Sequence, residues 1–209
     1  MTRWGIMADI HGNVPALERA TAEFERRGVE RIAVLGDNLG RGDSDGCVRL
    51  VRSLTDVAVV GNRDLDWQDR VSNDAAAYVR SLPRVLTREG ISFSHGDARL
   101  TPMLATDGAR DGFRKARRWL AEQRCSVWFF GHSHRARVWT ITSPDGDAVL
   151  RFDAATDALP SRVELQSADQ PESFLIVNAG SVGLPFGGKG PASALVFDSA
   201  ARTLDLFAI

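Results

Sequence analysis

Five times in this chain an apolar, strand-like run ends and a side chain able to bind a metal ion follows at once. Ile6-Met7-Ala8 leads to Asp9, with His11 two residues on; Val34-Leu35-Gly36 leads to Asp37; Val59-Val60-Gly61 leads to Asn62. Ile91-Ser92-Phe93-Ser94 leads to His95, and Trp128-Phe129-Phe130-Gly131 leads to His132, with His134 two further on. In open α/β sheets ligands gather at the carboxyl ends of the strands. The pattern therefore predicts five strand ends delivering their polar groups into one crevice. Glycine precedes three of the five, which lets the backbone turn sharply and come close to a bound group. The 4 histidines of the sequence all lie in these segments. A lone histidine is more often a packed or surface residue than a ligand, but all of them beside strand ends leaves that reading little room.

Four imidazoles, two carboxylates and one amide oxygen are too many donors for one cation. They suit two divalent ions of mixed N/O preference, such as Mn, Fe, Zn or Ni, with Mn the first choice. Two ions ~3.5–4 Å apart clamp the attacking and leaving oxygens in phosphoryl transfer and lower the pKa of a bound water toward ~7. Such a pair needs a bridging carboxylate.

Around these segments the chain alternates strands and amphipathic helices. A helix is expected from about Val14 to Arg27, capped by Asn13, with Pro15 in its first turn, Gly28 at its end and Leu17, Ala20 and Phe24 on one face. A second is expected over Ser44–Leu54 with Cys47, Leu50, Val51 and Leu54 apolar, a third around Asp74–Ser81, and a fourth from about Gly108 to Gln123. Val85–Thr87 and Ile91–Ser94 read as a hairpin turning at Arg88-Glu89-Gly90. Beyond Arg135 strands dominate: Arg137–Thr142, Ala148–Asp153, Phe174–Asn178, Ala194–Asp198 and Thr203–Phe207. Ala154–Pro171 is polar and poorly patterned and reads as a surface insertion, either a pocket rim or a dimer contact. No linker divides the chain, so residues 1–209 are expected to form one α/β domain.

Composition narrows the partners. A formal net charge of −1 argues against a nucleic-acid partner, whose footprint is normally a basic excess. Lys115 and Lys189 are the only lysines; the arginine bias reads first as codon usage, with room for a few phosphate-binding forks. Cys47 and Cys125 have no metal spacing and are too few for a disulfide framework. No apolar run reaches membrane-spanning length, and the chain enters a strand-like stretch at Arg3 without a charged leader. The expectation is a cytoplasmic protein with a small-molecule partner and no membrane; self-association is left open.

Taken together, Asp9-Ile10-His11-Gly12-Asn13, Gly36-Asp37-Asn38, Gly61-Asn62-Arg63-Asp64, Ser94-His95-Gly96-Asp97 and Gly131-His132-Ser133-His134 resemble the calcineurin-like metallophosphoesterases in order and spacing. Asn178-Ala179-Gly180-Ser181-Val182-Gly183 is similar to the Asn-x-Gly-Ser stretch of a small prokaryotic phosphodiesterase branch. The resemblance covers the chain apart from Thr142–Pro171. It implies a four-layer αββα sandwich, two mixed sheets flanked by helices, with the site at one edge. It also implies that Asp9, His11 and His134 hold one metal, that Asn62, His95 and His132 hold the other, and that Asp37 bridges them. The implied activity is hydrolysis of phosphodiesters or small phosphorylated metabolites by a metal-bound hydroxide. A phosphomonoesterase or protein phosphatase, and a catalytically weak metal-dependent binding protein, stand as alternatives.

One position departs from the family pattern. Many members carry histidine after the Gly-Asn of the third motif, where it is thought to protonate the leaving group; here the residue is Arg63. Arginine stays charged at any working pH and is a poor general acid. Arg63 is expected either to act on phosphoryl oxygens as charge develops, with water or the substrate supplying the proton, or to point away and leave activity weak or limited to good leaving groups. Asp37 and Asn62 are the other candidate catalytic residues, and Asn62 and Arg63 are candidate substrate contacts. Arg41 stands where the protein-phosphatase branch carries a phosphate-binding arginine. Asp64 and Asp97 are candidate acceptors for ligand histidines or loop caps. Gly180-Ser181 reads as pocket backbone or a turn, and the 186–190 segment as a surface loop.

Overall fold

The computed structural model describes residues 2–96, 110–165, 173–185 and 191–209. Its strands form two six-stranded sheets. The first runs, in order, β3 (Val57–Ala58), β2 (Arg31–Val34), β1 (Arg3–Met7), β11 (Ser193–Asp198), β12 (Thr203–Ala208) and β9 (Ser161–Glu164). The second runs β4 (Val85–Arg88), β5 (Ile91–Ser94), β6 (Val127–Phe130), β10 (Phe174–Asn178), β7 (Arg137–Ile141) and β8 (Ala148–Asp153). Each sheet has a parallel half: β3, β2 and β1 in the first, β5, β6 and β10 in the second. The other pairings are antiparallel.

Strand alternation sorts the side chains into layers. Trp4 and Ile6 of β1, Phe129 of β6 and Val177 of β10 point between the sheets, where Phe129 packs against Phe93 and Phe197. Met7 and Val34 face outward and are covered by Leu17, Ala20 and Phe24 of α1 (Val14–Arg26) and Cys47 and Val51 of α2 (Ser44–Leu54). On the far side Trp128, Phe130 and Ile176 are covered by Phe113, Ala116 and Leu120, buried positions of the helix over Arg110–Glu122. This is the four-layer αββα sandwich that the motif resemblance implies.

α1 starts at its predicted cap: the Asn13 carboxamide oxygen accepts from the Ala16 N–H at 3.1 Å. α2 is capped by the Asp43 carboxylate through the Gly46 N–H at 2.7 Å, a cap the sequence reading did not name. α2 buries Val48 beside Cys47 and Val51, while Leu50 and Leu54 are only half-buried. α3 (Asn62–Trp67), absent from the sequence reading, is only six residues long, too short for a periodic signal. It leads through a 3₁₀ turn into α4 (Asn73–Ser81); the Arg110–Glu122 helix is α5. Both cysteines are free and buried. Among the described residues no helix is long and apolar enough to cross a membrane.

The Ala154–Pro171 stretch is not wholly an insertion. Its Ser161–Glu164 segment is β9, pairing antiparallel with β12 at the edge of the first sheet. An exposed edge strand needs little apolar alternation, which hid it: in β9 only Val163 is buried. Residues 166–172 lie outside the described set.

Phe129→Ala removes an aromatic ring that contacts both sheets. We expect a loss of about 3–5 kcal/mol in unfolding free energy, read as a lowered denaturant midpoint with near-native circular dichroism before the transition.

Candidate active site

The two parallel halves end at the same edge of the sandwich. Backbone bonds sew their loops together: Asp9 N–H to Gly36 carbonyl (3.1 Å), His11 N–H to Asp37 carbonyl (2.9 Å) and Gly131 N–H to His95 carbonyl (2.9 Å). A side-chain bond crosses between the sheets, from the His132 N–H to Asp9 Oδ2 at 2.9 Å. Together these bring Asp9, His11, Asp37, Asn62, His95, His132 and His134 into one place.

They separate into two clusters that meet at Asp37, with Asp9 Oδ1 of the first also 4.0 Å from His95 Nε2 of the second. In the first, His11 Nε2 is 3.1 Å from His134 Nε2, and Asp9 Oδ1 is 3.2 Å from His134 Nε2 and 3.8 Å from His11 Nε2. In the second, Asn62 Oδ1 is 2.9 Å from His132 Nδ1 and 3.1 Å from His95 Nε2. Asp37 Oδ2 lies between them, 3.8 Å from His11 Nε2 and 3.4 Å from His95 Nε2. The two carboxylates are used alike. One oxygen is held by backbone, Asp9 Oδ2 by His132 N–H and Asp37 Oδ1 by Arg63 N–H at 2.7 Å, and the other faces the histidines. Asp9 Oδ1 is buried without a hydrogen-bond partner. An orphaned anionic oxygen converging with ring nitrogens fits a cation, since burying it otherwise costs several kcal/mol, of order 1–3 or more. Ligand atoms of Asp9, His11, Asp37 and His134 lie within 4.8 Å of one another, a group able to hold a metal ion.

The backbone is bent to make this possible. Asp9, His11, Asp37, His132 and His134 have φ of 57, 53, 55, 72 and 58°. Left-handed conformations cost non-glycine residues about 1–3 kcal/mol each and persist only where the surroundings enforce them. Two of the predicted glycines serve the close approach. A Cβ on Gly131 would sit 2.7 Å from Asp9 Oδ2, and one on Gly61 would collide with the Asp37 carboxylate.

Asp64 acts as a loop anchor and has no hydrogen bond to a histidine. Its fully buried carboxylate accepts from the N–H groups of Asp37 (3.0 Å), Asn38 (2.8 Å), Leu39 (2.9 Å) and Gly61 (2.9 Å), and from Asn38 Nδ2 (3.2 Å). Burial pushes its pKa up to about 6 against the pull of the Gly61 and Leu39 N–H bonds, and the five N–H donors on its oxygens suit the carboxylate form. His95 is oriented by a backbone carbonyl: Nδ1 donates to the Leu35 oxygen at 2.8 Å, leaving the Nε2 lone pair for the cluster. Asp97 lies outside the described residues.

Other supports come from the Asn178–Gly183 stretch, where the turn reading of Gly180-Ser181 holds, and from Asp153, which carried no sequence signal. Ser181 Oγ donates to the Asp9 carbonyl and accepts from Leu184 N–H, so Gly180-Ser181 is a buried turn bracing the Asp9 loop. Asn178 Nδ2 donates to the Gly131 carbonyl at 2.6 Å. Asp153, at the end of β8, takes both arms of Arg135 (2.5 and 2.6 Å) and the Arg137 Nε (3.0 Å), fixing the chain just after His134.

A cleft of about 900 Å³ opens over the clusters. Arg63 and Arg41 both border it. Arg63 is half-exposed, 3.8 Å from Asp66. Arg41 is exposed and has no ion-pair or hydrogen-bond partner among the described residues.

Two expectations follow. Asp64→Asn sets an amide NH₂ among backbone N–H groups and should cost about 2–5 kcal/mol, with loss of bound metal, checked by denaturation and metal analysis. His95 is driven up to about 9: burial opposes its charge, but the Asp37 hydrogen bond and the charges of Asp9 and Asp37 outweigh it. Below that pH a proton competes for Nε2, so cation affinity should rise with pH up to about 9. Calorimetry at pH 7 in buffers of different ionisation enthalpy should show proton release on binding.

Residues 2–202 match the family model described as the calcineurin-like phosphoesterase superfamily domain. The chain is 27% identical over 221 aligned residues to an uncharacterized protein of Methanocaldococcus jannaschii, covering 92% of this chain and 81% of that protein. A metallophosphoesterase from Sphaerobacter thermophilus superposes with a TM-score of 0.75 at 22% identity, over 99% of this chain and 88% of that one. An archaeal phosphodiesterase superposes with a TM-score of 0.56 at 16% identity, covering 99% of each chain. At these identities the structural likenesses speak for the fold.

Proposed function

The chain belongs to the calcineurin-like phosphoesterase superfamily, and on that premise we propose that it is a two-metal hydrolase of phosphodiesters. The observation that carries the reading is the division of seven donors into two clusters joined at Asp37 Oδ2. Asp9, His11 and His134 would hold one divalent ion, Asn62, His95 and His132 the other, and Asp37 both; Mn suits this N/O set, as do Fe, Zn or Ni. When bound, the ions supply Lewis-acid charge and acidify a water toward pKa ~7.

The chain's own residues supply positioning. Asp37 is held by the Arg63 N–H, so the residue that borders the cleft also fixes the bridging carboxylate. The Arg63 and Arg41 guanidinium groups offer forked donors to the phosphoryl oxygens as charge develops there. Arginine is a poor general acid. The leaving oxygen therefore departs with a proton from water or as an anion, which favours good leaving groups and tilts the substrate toward activated or nucleotide-type diesters. This reading takes residues 1–209 as one catalytic domain acting in the cytoplasm on a small molecule, without membrane or nucleic-acid partner.

The test is hydrolysis of bis- and mono-aryl phosphates after metal stripping and restoration with Mn, Ni, Zn, Fe or Mg. Diester turnover should return with metal and fall more than about a hundredfold in Asp37→Asn. Turnover confined to the monoester would replace the diesterase reading. No turnover in a folded protein that still binds two ions would remove the enzymatic one.

A further inference from the structure

The cleft is much larger than a phosphate needs, and part of its lining is apolar. Its volume of about 900 Å³ belongs to the class that encloses drug-sized ligands. Beside the clusters it is bordered by Pro15, Trp67 and Leu184, the last 49% exposed. Trp67 ends α3, five residues after Asn62 and four after Arg63. One short helix thus carries a candidate metal ligand, a cleft-lining arginine and a large aromatic ring.

The ring is held from two directions and is still partly exposed. It packs against the small core of Leu39, Val48, Ala75 and Val79 between α2 and α4. The Arg70 guanidinium lies over it, 4.7 Å from the ring centroid. Trp67 is also one of the residues that line the cleft. A fixed indole at a cleft wall presents apolar surface with little entropy left to lose on binding. A flat base uses such a surface better than an alkyl chain does, because stacking adds to area burial.

Resting on the phosphodiesterase reading, we propose that Trp67 forms the specificity shelf for a nucleoside carried on the substrate phosphate. The phosphate lies toward Arg41, Arg63 and the clusters, and the base lies against the indole. Any base has a flat π face, so the shelf selects for a nucleoside without reading which one.

The test compares two diesters with the same leaving group, the 4-nitrophenyl esters of thymidine monophosphate and of methyl phosphate, in the Mn-loaded enzyme. Stacking energies correspond to a preference of roughly five- to hundredfold for the thymidine ester, expressed in KM. Trp67→Leu should abolish most of that ratio, and Trp67→Phe, with its smaller ring, should keep part of it. No preference in the wild type, or an unchanged ratio in a folded Trp67→Leu, would overturn the shelf. Calorimetric titration of the Mn-loaded wild type with thymidine monophosphate and with methyl phosphate gives a readout independent of turnover and of the variants' folding. At least fivefold tighter binding of the nucleotide supports the shelf, and equal affinities refute it. If neither ester is hydrolysed the phosphodiesterase reading falls, while this titration still decides the shelf.

Discussion

The Asp64 carboxylate ties together the two loops on which the rest of the site depends. Four backbone N–H groups, from Asp37, Asn38, Leu39 and Gly61, end on its two oxygens inside the protein. Without it these donors would be buried and unpaired, each at a cost of about 1–3 kcal/mol. Because they lie after β2 and after β3, one anion sets the separation of Asp37 from Asn62. That separation allows the two histidine clusters to share a carboxylate.

Strain and support are matched around this anchor. Five of the seven converging residues have left-handed backbone, a conformation that side chains other than glycine adopt reluctantly. The bend turns a side chain that would follow the strand back over its end. What enforces it is a ring of bonds from both sheets: His132 N–H to Asp9, Ser181 Oγ to the Asp9 carbonyl, and Asn178 to the Gly131 carbonyl. The inter-sheet core beneath, with Phe93, Phe129 and Phe197 in contact, keeps the two halves of that ring in register. Core packing and site geometry are therefore one problem in this molecule.

Much of the fold was legible in local pattern. The Asn13 cap and the Leu17-Ala20-Phe24 stripe placed α1, and the Glu89-Gly90 turn, both residues at positive φ, placed the β4–β5 hairpin. β9 was missed because an edge strand with one buried residue has no alternation to read. α3 was missed because its six residues are fewer than two turns. The role of Asp64 was only half legible: a carboxylate near a ligand motif could meet a histidine or a backbone, and tertiary contact alone assigned it to the backbone.

By itself the sequence determined which residues belong together. Strand ends followed at once by Asp, Asn or His are a local fact, and every histidine in the chain lies at such an end or two residues beyond it. Only the tertiary structure decided how they divide, that Asp37 Oδ2 faces both clusters and Asp9 Oδ1 stands unpartnered. It alone brought Trp67 to the same cleft as Arg41. The physical reason is that spacing along a strand fixes the direction of a side chain. The distance between ends of different strands is set by sheet order, twist and long-range hydrogen bonds, which no short window of sequence contains.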